Sequence, residues 1–240
     1  MSLFGHYRCA VPNPSVLTVN VGSPEPNPFK SAGSTGIGKR PAPGLVLVRA
    51  PGAKHGGLGS GLVGDAVMDR EHHGGDEQAV YAYAREDLDD WERELDRQLP
   101  GGSFGENLTT RGIDVTDARL GEIWQIGPAD EPGRGCRLQI TSPRIPCVTF
   151  RGRMGIKGWL KTFTQAGKPG AYLKVLTPGE IASGDALTVV HRPTHDVSIG
   201  LSFRAITTER DLLPRLLPAG DDLIEELREM ATEGRTFDLD

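Results

Sequence analysis

The amino-acid sequence predicts a mainly β fold with some α: a barrel or rolled sheet, followed by three short helices near the C-terminus. Two observations carry this. Short runs rich in β-branched residues are cut apart by 32 glycines and 18 prolines in 240 residues, a composition of many turns and short strands. From about Pro193 the glycines thin out and apolar residues fall at helical spacing instead.

Taken in order, Val16 to Val21 reads as the first strand and is broken by the proline-rich Gly22 to Pro28. Ser31 to Pro43 is a loop carrying Lys39 and Arg40. Leu45 to Arg49 is a second strand, Pro51 to Gly61 a glycine-rich loop, Leu62 to Val67 a third strand and Ala79 to Tyr83 a fourth. Arg85 to Leu99 reads as an amphipathic helix, with Leu88, Trp91, Leu95 and Leu99 near one face and a solvated acidic face opposite. Asp89 and Arg93 are spaced for an i,i+4 pair, and Pro100-Gly101-Gly102 ends the helix. Further strands are expected around 122–126, 137–141, 171–176 and 186–191, with a helix or loop over 155–165. The C-terminal helices fall at 197–206, 209–217 and 221–230. Asp221 or Asp222 is placed to cap the last of these, and Arg235 to Asp240 reads as a frayed tail.

The length fits one large domain, or one domain with a small appendage. Lys and Arg total 27 against 32 Asp and Glu, a net charge of −5, and the mean hydropathy is −0.33. That balance suits a globular protein and argues against coating nucleic acid. No run approaches eighteen consecutive apolar residues, so no membrane span is expected, and Met1 to Ala10 lacks the apolar core of a secretory signal. Cys9, Cys136 and Cys147 are odd in number and fit no zinc spacing. A reducing cytoplasm is the expected compartment.

Four segments carry candidate chemistry. In His72-His73-Gly74-Gly75-Asp76 the glycines allow positive φ or close approach of a ligand, and a neighbouring imidazole can donate to an anion or hold a proton; a tight turn with one solvated and one packed His explains the same residues. Phe104-Gly105-Glu106-Asn107-Leu108 offers an unusual backbone and an amide with donors and an acceptor, or a β-turn closed by Asn107. In Ser142-Pro143-Arg144-Ile145-Pro146-Cys147 two prolines bracket a guanidinium suited to phosphate or carboxylate, and a thiol beside it is favoured as thiolate; the alternative for Cys147 is a buried small hydrophobe. Lys168, in Gly167-Lys168-Pro169-Gly170-Ala171-Tyr172, sits in a turn from which it reaches either an anion or solvent. The phosphate-loop, nucleophile-elbow and zincin motifs are absent from the sequence.

In this order the segments resemble the MOSC family, in particular its YiiM-like branch. The landmarks are Thr35-Gly36-Ile37-Gly38-Lys39-Arg40-Pro41, Gly64-Asp65, His73-Gly74-Gly75-Asp76, Ala79-Val80-Tyr81-Ala82-Tyr83, Gly105-Glu106-Asn107-Leu108, Pro143-Arg144-Ile145-Pro146-Cys147 and Gly170-Ala171-Tyr172-Leu173. The resemblance implies a MOSC-like mixed β-barrel over 1–192, a three-helix appendage over 193–240, and molybdenum with a pyranopterin as the cofactor. Cys147 maps onto the family's metal-binding cysteine. Lys39, His73, Gly74, Gly75, Gly105, Glu106, Asn107, Arg144 and Lys168 are the residues the motifs place around the cofactor, with Cys147 and His73 as the catalytic pair. The implied activity is reduction of small N-hydroxylated compounds, such as hydroxylamines, N-hydroxylated nucleobases and amidoximes. The electrons are expected from a separate reductase, because flavin and iron–sulfur patterns are missing. A carrier of the cofactor, or of sulfur on Cys147, is the alternative. The family is also linked to pyridoxal phosphate, but no lysine here argues for a Schiff base. Two departures from the family pattern are the long loops at Gly57 to Gly61 and Gly127 to Gly135, and a third is a second histidine at position 72.

Overall fold

Val16 and Val19 are fully buried on the first strand while Leu17 is exposed, so this strand lays one face on a core. The computed structural model describes residues 13–30 and 33–238; Cys9 and the N-terminal residues read above lie outside them. The strands are β1 (Ser15–Val21), β2 (Glu25–Pro26), β3 (Ser34–Thr35), β4 (Arg40–Pro41), β5 (Val46–Val48), β6 (Val80–Ala84), β7 (Leu108–Arg111), β8 (Ile123–Ile126), β9 (Cys136–Pro143), β10 (Ala171–Thr177), β11 (Gly179–Ile181) and β12 (Leu187–His191). The helices are α1 (Arg85–Leu95), α2 (Val148–Met154), α3 (Trp159–Ala166), α4 (Ile199–Thr207) and α5 (Glu225–Glu233), with 3₁₀ segments at Asp76–Gln78 and Arg210–Asp222.

Eight strands form one sheet in the order β12-β8-β9-β10-β6-β7-β1-β4. Its pairings are antiparallel except β6 with β7, which run parallel. The sheet curls until β1 meets the start of β12. There the Val16 N–H donates to the Asp185 carbonyl at 2.9 Å and the Leu187 N–H to the Pro14 carbonyl at 2.9 Å, beside a bridge of Ser15 with Ala186. The expected barrel is therefore a rolled sheet joined by a short bridge and not by a continuous ladder. Among the described residues no helix is long and apolar enough to cross a membrane.

Two hydrophobic clusters result. The larger joins the inner face of the sheet to Leu201, Ala205, Leu216, Leu227 and other residues of the C-terminal helices, so those helices share a core with the sheet. The smaller is aromatic: α1, α2 and α3 stack Trp91, Phe150, Trp159 and Phe163 against Tyr83 of β6 and Phe104. Ring centroids there lie 4.9–6.4 Å apart at mostly edge-to-face angles, the arrangement favoured by ring quadrupoles.

Several expectations need correction. Only Leu62 of the predicted strand 62–67 pairs, in a bridge to Val48; Gly64, at φ 88°, turns the chain away. Helix α1 stops at Leu95 because Asp96 is left-handed, at φ 46°, so Leu99 is buried from the loop beyond. The Asp89–Arg93 pair is replaced by Arg85 to Asp89 at 2.7 Å and by Arg93 to Asp90. The acidic face is not wholly solvated either: Asp87 is paired with Lys168 at 2.9 Å, and burial outweighs that partner to raise its carboxyl. Of residues 209–217, all but the first lie in 3₁₀ structure, as Pro214 would favour. Helix α5 starts after Ile224 with no side-chain cap, so neither Asp221 nor Asp222 caps it. The tail is docked as far as described: the Phe237 N–H donates to the Ile206 carbonyl at 2.8 Å.

One carboxylate fastens the segments that lead to the site. The Asp65 side chain is 1% exposed and meets the Lys39 ammonium. It also accepts from the Gly22 N–H at 2.7 Å, the Ser60 hydroxyl at 2.7 Å and the Asn107 amide at 2.9 Å. Asp65→Ala leaves Lys39 buried without its counter-charge, for which a loss of about 3–5 kcal/mol is expected in urea unfolding. A loss below about 1 kcal/mol would contradict this role.

Candidate functional site

Strand β9 ends at Pro143, and two residues of fixed φ, Pro143 and Pro146, hold the turn that carries Arg144. Cys147 follows at the N-cap of α2, with extended backbone. The register places Tyr172 of β10 opposite Ser142 of β9 and Tyr81 of β6. The ends of these three strands, the His72–Gly75 loop and the first turn of α2 surround a cavity of two lobes. The smaller lobe, of about 120 Å³ and here named the inner, and the larger, of about 510 Å³ and named the outer, share Asp69, His73, Gln78, Cys147, Thr149 and Tyr172.

Arg144 lines the inner lobe. It is 4% exposed, and its guanidinium lies 3.8 Å from the Phe150 ring centroid, with the Tyr81 and Phe163 rings at 5.7 and 5.6 Å. Such a stack offsets part of the cost of burying the charge. Its Nη1 has no hydrogen-bond partner among the described residues. Cys147 lies beside it. Burial pushes the Cys147 thiol up, but the neighbouring His73 imidazole and the charge of Arg144 bring it down to about 6. The thiol is therefore mostly thiolate at neutral pH. Cys136 shows the opposite case, pushed up to about 12 by burial and by Asp185. Tyr172, also raised to about 12 by burial, keeps its phenol proton.

The structure brings together Lys39, His73, Gly74, Gly105, Asn107, Arg144 and Cys147 as lining residues. Several of these are already engaged. Lys39 is neutralised by Asp65. The Asn107 amide accepts from the Tyr81 N–H at 3.1 Å and donates to Asp65 and to the Asn20 carbonyl. Gly74 and Gly75 both have positive φ, and Gly75 packs so closely that a Cβ there would stand 2.8 Å from the Lys54 backbone. The Gly75 N–H is spent on the Gly59 carbonyl and that of Gly105 on the Gly102 carbonyl, so neither amide is a free anion donor.

Three expected cofactor residues line neither lobe: Gly75, turned to the Gly59 carbonyl, Lys168 and Glu106. Lys168 turns to Asp87 and Asp90, at 2.9 and 2.6 Å, and lines neither lobe, because those carboxylates of α1 lie within its reach. Glu106 is fully buried. Burial raises its carboxyl, against hydrogen bonds from Gly102, Phe104 and Thr109 that tie down its own loop. His72 lines the outer lobe and hydrogen-bonds Asp69 at 3.0 Å, beside a Lys30–Asp69 ion pair of 2.5 Å. Asp65, Tyr81, Tyr172 and Gln78 were not singled out as site residues. The first three stood within the motif landmarks, while Gln78 carries no sequence signal.

The thiol can be checked directly. Alkylation of the Cys147 peptide by iodoacetamide, followed by mass spectrometry, should rise with pH through about 6 and level off by neutrality. An unperturbed thiol would still be gaining reactivity well above that. His73→Ala should move the midpoint upward, and an unchanged midpoint would contradict the part of His73 in lowering it.

Comparison with known proteins follows the same lines. The MOSC domain family matches residues 69–188, half of the chain. YflK of Bacillus subtilis (strain 168) is 30% identical over 191 residues, covering 79% of each protein. A protein of Gibberella moniliformis named "Reductase" is 28% identical over 74% of this chain, which spans only 34% of that protein's length. The crystal structure of YiiM from Geobacillus stearothermophilus superposes with a TM-score of 0.70 at 26% identity, covering 92% of this chain and 98% of that one. The landmarks, the rolled mixed sheet and these likenesses agree, and the chain is a YiiM-like member of the MOSC domain family.

Proposed function

We propose that the chain is a molybdenum cofactor-dependent reductase of N-hydroxylated compounds, among them hydroxylamines, N-hydroxylated nucleobases and amidoximes. The observation that carries this reading is the Cys147 thiol lining one pocket with a buried, incompletely satisfied guanidinium, that of Arg144. MOSC domains are in general associated with molybdenum cofactor binding, and one relative bears the name reductase.

The residues present fit the cofactor. A soft thiolate suits a sulfur-ligated metal, and Cys147 is the ligand. The partnerless Nη1 of Arg144 is a donor that an anionic pterin phosphate would satisfy. The inner lobe alone is smaller than the roughly 300–1,000 Å³ of ligand sites, while the outer lobe falls inside that range. Together the two lobes, both lined by Cys147, would give room for a pterin-sized group.

When bound, the cofactor supplies the two-electron chemistry, in which R–NHOH, two protons and two electrons give R–NH₂ and water. The chain's own residues hold and orient. Arg144 keeps the Cys147 sulfur ionised and binds the anionic group. His73, which lines both lobes with Cys147, holds the proton that passes to the departing oxygen. Asp65, Lys39 and Asn107 fix the inner wall. The electrons come from a separate reductase.

The test is molybdenum and pterin quantification after expression in a cofactor-competent host, on the wild type beside Cys147→Ala. Near-unit molybdenum in the wild type, its loss in a still folded variant, and turnover of a hydroxylamine with an artificial electron donor are expected. Metal retained by Cys147→Ala would contradict the ligand assignment. Cofactor bound without turnover would favour the carrier instead.

A further inference from the structure

The outer lobe has a wall that the motifs leave without a role. Ile206, Ile224, Leu227 and Phe237 form an apolar patch on it, from the C-terminal segment that also brings Glu226 and Asp238 to its lining, together with Ile145 and Leu160 from the turns and helices beside Cys147. The wall is built into the core. Ile206 and Leu227 are 1% and 2% exposed members of the larger cluster, and Ile224 and Phe237 are half-buried against it. Phe237 is held by the hydrogen bond from its N–H to the Ile206 carbonyl, at 2.8 Å. The lobe thus presents the Cys147 sulfur and the His73 imidazole together with an apolar patch that includes an aromatic ring.

Such a lining sorts ligands. A polar group at Cys147 loses its hydration wherever the body goes, and only a body with apolar surface gains from this wall. From this we infer that the C-terminal wall selects the body of the substrate: Phe237 and Ile224 favour N-hydroxylated compounds carrying a flat apolar group over small alkyl ones. The inference rests on the reductase reading for the reaction, but the binding preference belongs to the cavity itself.

The test therefore has a binding arm and a turnover arm, on the full chain, with Phe237→Ala and Ile224→Ser. Both positions are half-buried, and a melting curve verifies that each variant folds. In the cofactor-free protein, benzamidine and acetamidine are titrated by ligand-observed NMR. The wild type should bind benzamidine more tightly, and each variant should lose about tenfold of that affinity with acetamidine unchanged. In the loaded enzyme the ratio of kcat/KM for benzamidoxime over acetamidoxime should fall by a similar factor. Equal binding of the two probes by the wild type, or a preference kept in both variants, would overturn the inference. A fall in pterin occupancy with an unchanged ratio would assign the wall to the cofactor and also overturn it. A lost binding preference in a chain that never acquires molybdenum would leave the inference standing and remove the reductase reading.

Discussion

A positive charge laid on aromatic rings organises this molecule. Arg144 is nearly inaccessible to solvent and has no ion-pair partner among the described residues. A buried cation is costly unless something compensates it. Part of the compensation is the rings of Phe150, Tyr81 and Phe163. The rest is the neighbouring Cys147 sulfur, whose ionisation the guanidinium and His73 favour against burial. The guanidinium, charged in any surroundings, favours the thiolate beside it. The aromatic cluster of α1, α2 and α3 is the floor beneath them, so its packing bears directly on the electrostatics of the site.

The polar motif residues divide into two kinds. Arg144, His73 and Cys147 line the cavity, and Arg144 keeps one buried nitrogen without a partner among the described residues. Glu106, Asn107, Lys39 and Lys168 spend their polar atoms on other protein groups. Glu106 closes its own loop, Asn107 clamps the backbone of β6 and bonds Asp65, Lys39 answers Asp65, and Lys168 answers α1. Members of the second kind shape the walls that hold the first in place, and in the interior such satisfied networks fix one arrangement. A motif gathers both kinds in one string of letters, because losing either damages the same site.

The C-terminal helices belong to this economy too. They pack into the core under the sheet, and their far end returns through Phe237 to line the outer lobe. The outer half of the cavity is incomplete without them. Their sequence carries no chemistry-bearing motif, since hydrocarbon walls are written in the same residues as any core.

Local patterns in the sequence were sufficient for the strands at Val16, Val80 and Ala171, for the helix after Arg85, and for the proline frame that presents Arg144 and Cys147. Each depends on backbone preferences and spacing within a few residues. Partner choice across the chain was a different matter. Lys39 finds Asp65 26 residues on, Lys168 finds Asp90 78 residues back, and Phe237 docks on Ile206. Whether the sheet closes by a ladder or by a bridge, and whether a lysine faces a cavity or a carboxylate, depends on which surfaces meet when the chain folds. Charge and burial act through space, so only the tertiary structure could decide them.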